Sequence, residues 1–277
     1  LARGIARSPA GIFGLIIVLG LLACALAAPV LAPHDFASQD IPNRLQAPSP
    51  QYTLGTDHLG RDVLSRLIYG TRTALETAVP GVLIALGIGV VLGVAAGYAG
   101  GLVEAIVLVC TDTMQAFPSI LFALALLALI GPSTASVIMV IAIAFAPGYA
   151  RIVRAQVLVL KTQPFVEVCR ALGASDLRII GVHILPNIVA PLMILLAMDL
   201  ASAIAIEAGL SFLGLGVKPP TPSWGVVLSD GFARIRQSPW PVLFASLALA
   251  LTTLGLTLFG ESLRDALDPR LSRVVRA

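Results

Sequence analysis

Few residues in this 277-residue sequence have chemistry to offer, and their types point to docking and charge placement rather than bond-breaking. The richest stretch is Glu167 to Asn187, EVCRALGASDLRIIGVHILPN, which is polar and charged yet lies between two long apolar runs. Pro164 suits a first helical position, Glu167 falls in the positive-dipole first turn, and Gly173 suits a left-handed stop. Ser175 is placed to cap a second helical start before Pro186 interrupts the chain. A second set is the carboxylates Asp112, Asp199, Glu207 and Glu261, in or beside apolar runs. A charge at a helix centre costs about 2.5–3.5 kcal/mol on insertion scales, so each needs a partner, an interface or a wet path. Asp199 and Glu207 are about two turns apart on one expected helix and roughly share a face, lining either a passage or a subunit interface. The sequence has no GxxxxGK[ST] phosphate loop and no Gly-Lys dipeptide at all, so it is not an ATPase of that type. HExxH, GxSxG and clustered His/Asp ligands are also missing, which disfavours a membrane enzyme.

The elements that must position these residues are membrane spans. Hydrophobic residues make up 57% of the chain and charged ones only 12%, against ~25% charged in soluble domains, and the mean hydropathy is +0.94. A span needs roughly 20 apolar residues. Uncharged runs of that scale predict six transmembrane helices near residues 10–31, 75–98, 105–130, 134–158, 184–212 and 240–262. The first run is read as a span rather than a cleaved signal, because no small-residue cleavage site follows it. Placing the N-terminus inside puts Arg3, Arg7, Arg151, Arg154, Lys161, Arg170, Arg178, Arg264, Arg270, Arg273 and Arg276 in the cytoplasm. The outer side then holds Arg44, Arg61, Arg66, Arg72, Lys218, Arg234 and Arg236, the minority expected there. Both termini are therefore expected in the cytoplasm. The net charge of +3 reflects the basic inner face, and no aromatic-interleaved basic patch suggests nucleic acid. Cys24, Cys110 and Cys169 form no CxxC pair and are read as unpaired thiols, with no metal site.

Between the first two spans, residues 33–73 are expected outside the membrane, irregular at first and then a short amphipathic surface helix carrying Val63, Leu64, Leu67 and Ile68. Asp62 and Arg66 are spaced to pair along that helix. Small residues recur every fourth position at Gly81, Ala85, Gly89, Gly93 and Gly97, and again at Ala197, Ala201, Ala205 and Gly209. Such stripes let helix backbones approach closely, and they predict a tight bundle with a partner subunit. Pro80, Pro118, Pro147 and Pro191 are expected to kink spans. The loop from Gly216 to Gly231 is stiffened by Pro219, Pro220 and Pro222, with Trp224 expected as an aromatic anchor at the outer interface.

Taken in order, GTDHLGRDVLSRLIYGTR (55–72), GYAGG (97–101), DTMQAFP (112–118), the Glu167–Gly173 loop ending at Leu185-Pro186, EAGLSFLGLGVKPPTPSWG (207–225) and LRDALDPR (263–270) resemble the dipeptide/oligopeptide/nickel class of ATP-binding-cassette (ABC) importer permeases, specifically its second permease. The match covers nearly the whole chain. Val168 and Cys169 stand where two alanines give that family's EAA loop its name, His183 replaces an aliphatic residue, and Glu104 and Glu261 replace aspartates. The resemblance implies an all-α polytopic bundle of the type I importer fold in a bacterial inner membrane. Residues 1–73 would form an N-terminal helix and extracytoplasmic segment, and 74–277 the permease core with a coupling loop at 162–186. It implies a sister permease, two ATPase subunits that hold ATP and Mg, and an extracytoplasmic binding protein, with no cofactor held by this chain. The coupling residues would be Phe165, Glu167, Arg170, Ala171, Gly173, Ala174 and Ser175. Pathway or gate candidates are Asp112, Asp199, Glu207, Pro219 and Trp224, and binding-protein contacts Asp57, His58 and Arg61. Small peptides are the expected cargo, with nickel chelates, glutathione or opine-like compounds as the alternative. A stand-alone channel or secondary transporter would predict inverted repeats with midplane half-helices, and no convincing internal repeat is visible.

Overall fold

The computed structural model describes residues 8–267, so Arg3, Arg7, Arg270, Arg273 and Arg276 of the charge-bias argument lie outside the described residues. The helices are α1 (Pro9–Leu26), α2 (Ala28–Leu31), α3 (Val63–Ala99), α4 (Gly101–Ala116), α5 (Ser119–Ile130), α6 (Thr134–Leu160), α7 (Pro164–Ala171), α8 (Asp176–Arg178), α9 (Leu185–Phe212), α10 (Trp224–Phe232) and α11 (Trp240–Leu267). Five stretches are long and apolar enough to cross a membrane: α1, α3, α6, α8 through α9, and α11. The pair α4 and α5 makes a sixth if counted as one span bent by 94°. The all-α bundle expected from hydropathy is present with five such spans, or six with the bent pair, and with three changes of detail.

The first concerns residues 63–74. They do not form a separate surface-lying helix but run without a break into the second span as one 37-residue helix. Asp62 caps its start, accepting from Ser65 N at 2.8 Å and Ser65 Oγ at 2.6 Å. The sequence from Tyr69 to Leu75 contains no proline to stop propagation, and Val63 and Leu67 are buried. The second change is at Pro118, which breaks the expected 105–130 span. Phe117 is extended (ψ 135°), as a residue before proline prefers. The third is a turn of π-helix at Ile179–Ile184, where Leu185 N reaches back five residues to Ile180 O just before Pro186.

The glycine stripe of α3 is consumed within the chain, against α6. A Cβ at Gly81 would press on Ile141, at Gly89 on Tyr149 and Ala150, at Gly93 on Val153, and at Gly97 on Val157. Lipid gives helices no hydrophobic reason to associate, so backbone contact at this distance is the attraction available. A second close crossing pairs Gly14 of α1 with Gly255 of α11. The α9 stripe behaves differently: Ala197 and Ala201 are buried, whereas Ala205 is exposed and Gly209 has open space around it. Elsewhere the spans show large apolar side chains to their surroundings, including Ile16, Val91, Val109 and Leu129, as lipid or a neighbouring subunit requires.

The α3–α6 crossing generates a paired prediction. Gly89→Ala places its Cβ against the Tyr149 side chain and 3.0 Å from Ala146 O, whereas Gly87→Ala meets nothing within 4 Å. Overpacking of this kind costs about 1–3 kcal/mol. The Gly89 variant is expected to lower the thermal midpoint of the detergent-purified protein and the Gly87 variant to leave it unchanged. Equal midpoints would show that the crossing tolerates separation.

Candidate functional site

The loop expected to couple, residues 162–186, is built on the C-terminal end of α3. Lys161, at the end of α6, donates to Gly97 O at 2.7 Å, a cation on the carbonyl-rich end of a helix. Tyr98 bonds the Asp176 carboxylate and receives Arg170 Nη2 at 3.4 Å, so α3 holds both sides of the loop. Pro164 opens α7 at its first position, and Gly173 (φ +81°) ends it. Gly173 N donates to Arg170 O and Ala174 N to Cys169 O, both at 3.0 Å, closing the helix end. No atom crowds Gly173 within 4 Å, so the glycine answers a backbone requirement and not a close approach. Ser175 stands at the next helix start without a side-chain capping bond, which corrects the capping role expected for it. Val166 and partly buried Ala174 face inward, while Glu167 and Ala171 are exposed. Phe165 and Val168 are also exposed, Leu172 is 82% exposed and Leu177 84%.

At the opposite end of α3, three segments meet in a charge network. Asp57 accepts from Arg61 N at 3.0 Å and Arg61 Nε at 2.6 Å, while Arg61 also reaches Asp230 of α10 at 3.1 Å. Buried Arg66 lies 3.5 Å from Asp57 and 3.8 Å from Asp230. The Asp62–Arg66 pair expected from spacing is replaced by this arrangement, because Asp62 is engaged in capping. Asp57 and Arg61 are therefore internal ties, buried at 3% and 7% exposure, rather than free groups awaiting a partner protein. His58 keeps partial exposure, and its Nδ1 lies 4.0 Å from Asp230. Burial holds its imidazole below the ordinary value, against the pull of Asp230 and Asp57. Asp57, His58 and Asp230 lie close enough to share a cation, yet Arg61 and Arg66 already occupy both carboxylates. A divalent ion there would face two guanidiniums, so the geometry fits an ion-pair tie.

The pathway candidates separate into distinct environments. Trp224 is not an interface anchor. It is buried on Gly70, and its indole N–H donates to Leu67 O at 3.0 Å, because α10 folds back onto α3. Pro219 is exposed, in the loop before it. Glu207 is wholly buried; Ser211 donates to it at 2.7 Å and also receives Val217 N at 3.3 Å, which ties the outer loop to α9. Asp112 forms an exposed pair with Arg151 at 2.7 Å. Asp199, although on the same helix as Glu207, lines a different space: a cavity of about 410 Å³ between α4, α5, α6 and α9.

Residues 89–273 match the family described as "Binding-protein-dependent transport system inner membrane component", and residues 2–48 match the "N-terminal TM domain of oligopeptide transport permease C". The chain belongs to the binding-protein-dependent transport permeases. It is 40% identical over 265 residues to the dipeptide transport system permease protein DppC of Alkalihalophilus pseudofirmus, covering 96% of this chain and 87% of that protein. It is 41% identical over 263 residues to the glutathione transport system permease protein GsiD of Pectobacterium atrosepticum, covering 95% and 86%. The di/tripeptide permease DppC of Pseudomonas aeruginosa is 38% identical over 275 residues, covering 97% and 91%. In fold, the chain is similar to the MetNI methionine ABC transporter in inward-facing conformations, with a TM-score of 0.56 at 16% identity over 74% of this chain and 96% of that one.

As a permease of this family, the chain is the multi-pass membrane component of an ABC importer. It works with a paired permease, ATPase subunits and a substrate-binding protein, and ATP hydrolysis belongs to the ATPase subunits. Several of the permease's structural ties were invisible in sequence. No motif or spacing marks Asp230 or Tyr149, and Asp230 lies 169 positions from the Arg61 it binds. Glu104, a departure from the family pattern, pairs with Arg154 across α4 and α6. The burial of Trp224 gives a direct test. Trp224→Ala is expected to destabilise the permease by about 3–5 kcal/mol, whereas Trp224→Phe loses chiefly one hydrogen bond, about 1 kcal/mol. Thermal unfolding in detergent measures both, and a wild-type midpoint for the alanine variant would remove Trp224 from the core.

Proposed function

We propose that this permease carries small peptide-like solutes inward, with Phe165–Ser175 as the surface on which an ATPase subunit docks. The observation that supports docking is an amphipathic α7 outside the spans whose apolar residues Phe165 and Val168, with Leu172 just after it, lie open to solvent. An exposed apolar patch on a short helix calls for a cover. Glu167, Arg170 and Ala171 would form the polar part of that contact, with Gly173, Ala174 and Ser175 setting its far edge. In this reading residues 1–73 form the N-terminal unit and 74–277 the permease core, with both termini in the cytoplasm. Arg151, Arg154, Lys161, Arg170 and Arg178 then share the inner face. Asp112 and Asp199 would flank the passage, Glu207 and Trp224 would brace its outer end, and Pro219 with His58 would lie near the binding protein.

The cargo reading is broader than di- and oligopeptides. Relatives of near-equal identity are named for dipeptides, di/tripeptides and glutathione, which favours peptide-like compounds with glutathione among them. These solutes share amide groups and an ammonium–carboxylate pair.

Two experiments test the arrangement. Gly173→Asp strains the left-handed stop, and Leu172→Glu puts a charge on the docking face. In the assembled transporter, both are expected to bring ATPase activity stimulated by loaded binding protein down toward the unstimulated rate. Wild-type stimulation in both would count against docking here. For topology, cysteine at exposed Thr221 is expected to react with an impermeant thiol reagent on intact cells, while cysteine at Ser223, which has no exposed surface, stays protected. Reaction of the Thr221 variant only after the inner face is opened would invert the orientation.

A further inference from the structure

Asp199 lies near the middle of α9 and lines the cavity of about 410 Å³ bounded by α4, α5, α6 and α9. It is the charged residue in a wall otherwise made of apolar side chains and Gln115. Among the described residues no basic side chain lies within ion-pair distance of it. Arg151, which neighbours the lining residue Ile152 on α6, is already bound to Asp112. Tyr149, on α6, is fully buried, and its hydroxyl forms no hydrogen bond among the described residues. Three rings, Phe117, Phe122 and Phe145, complete the wall. A lone carboxylate in an apolar span is costly unless something positive reaches it. Aromatic faces beside a carboxylate are the chemistry that receives an ammonium group, since ring quadrupole and anion both attract a cation. The volume also falls in the range of small-ligand cavities.

We propose that Asp199, with Phe117, Phe122 and Phe145 around it, is a transit subsite for the ammonium group of the solute. Gln115 offers an amide to the remainder of the molecule. This deepens the peptide-like cargo reading and rests on it for the identity of the cation, since an α-ammonium group is what peptides and glutathione share.

The test uses the complete transporter in proteoliposomes, with Cys24, Cys110 and Cys169 replaced by serine and a single cysteine introduced by Gln115→Cys or, separately, Gly148→Cys. The probes are the cationic trimethylammonium-ethyl and anionic sulfonato-ethyl methanethiosulfonates, compared as a ratio of reaction rates. The ratio is expected to favour the cation, to fall about tenfold in Asp199→Asn, and to be retained in Asp199→Glu. Equal ratios with and without Asp199, or no reaction at either cysteine, would overturn the subsite. A parallel uptake assay with a labelled dipeptide and labelled glutathione separates the two layers of argument. A tenfold change in ratio without uptake of either solute retains the cation subsite and removes the cargo reading; uptake with an unchanged ratio does the reverse.

Discussion

The close contact of α3 with α6 is the constraint on which the rest of the permease depends. In lipid the usual drive to bury apolar surface is absent, so two helices stay together only where their backbones come near enough for dispersion to act over many atoms. Gly81, Ala85, Gly89, Gly93 and Gly97 supply that approach, and Ile141, Tyr149, Val153 and Val157 fill it. Because α3 is 37 residues long, the same rigid rod continues beyond the packed stripe in both directions. Its outer end carries Arg66, Leu67 and Gly70, which receive Asp57, Asp230 and Trp224. Its C-terminal end carries Gly97 and Tyr98, which hold Lys161, Arg170 and Asp176. One stiff helix thereby links the Asp57–Asp230 network to the loop that carries α7.

Charge handling differs along the bundle. Near the ends of the spans, carboxylates are matched with arginines: Glu104 with Arg154, Asp112 with Arg151, and Asp57 and Asp230 with Arg61 and Arg66. Glu207 lacks a cation but is shut in and bonded by Ser211, so it serves the fold of the outer loop. Asp199 alone of the singled-out carboxylates faces a cavity without a matching arginine. Two acids on one helix, eight positions apart, thus lie in different surroundings, because α10 and its preceding loop cover one and leave the other open.

The sequence by itself determined the apolar spans, the family, the short helix ahead of Gly173 and the need for Gly173 to adopt positive φ. Each follows from a local property: a run of apolar residues, an ordered set of motifs, or a residue type matched to one backbone geometry. The break at Pro118 was also half-visible, as a kink allowed though not sized. Tertiary structure decided what lay between distant segments. Period and spacing place a side chain on a face but do not say what covers that face. So Trp224 read as an interface anchor until α10 was found folded onto Leu67 and Gly70, and Asp57 and Arg61 read as surface contacts until Asp230 came to meet them. The glycine stripe of α3 announced a close crossing, and only the packed bundle showed that its partner is α6 of the same chain, whose side chains fit the groove that the missing Cβ atoms leave.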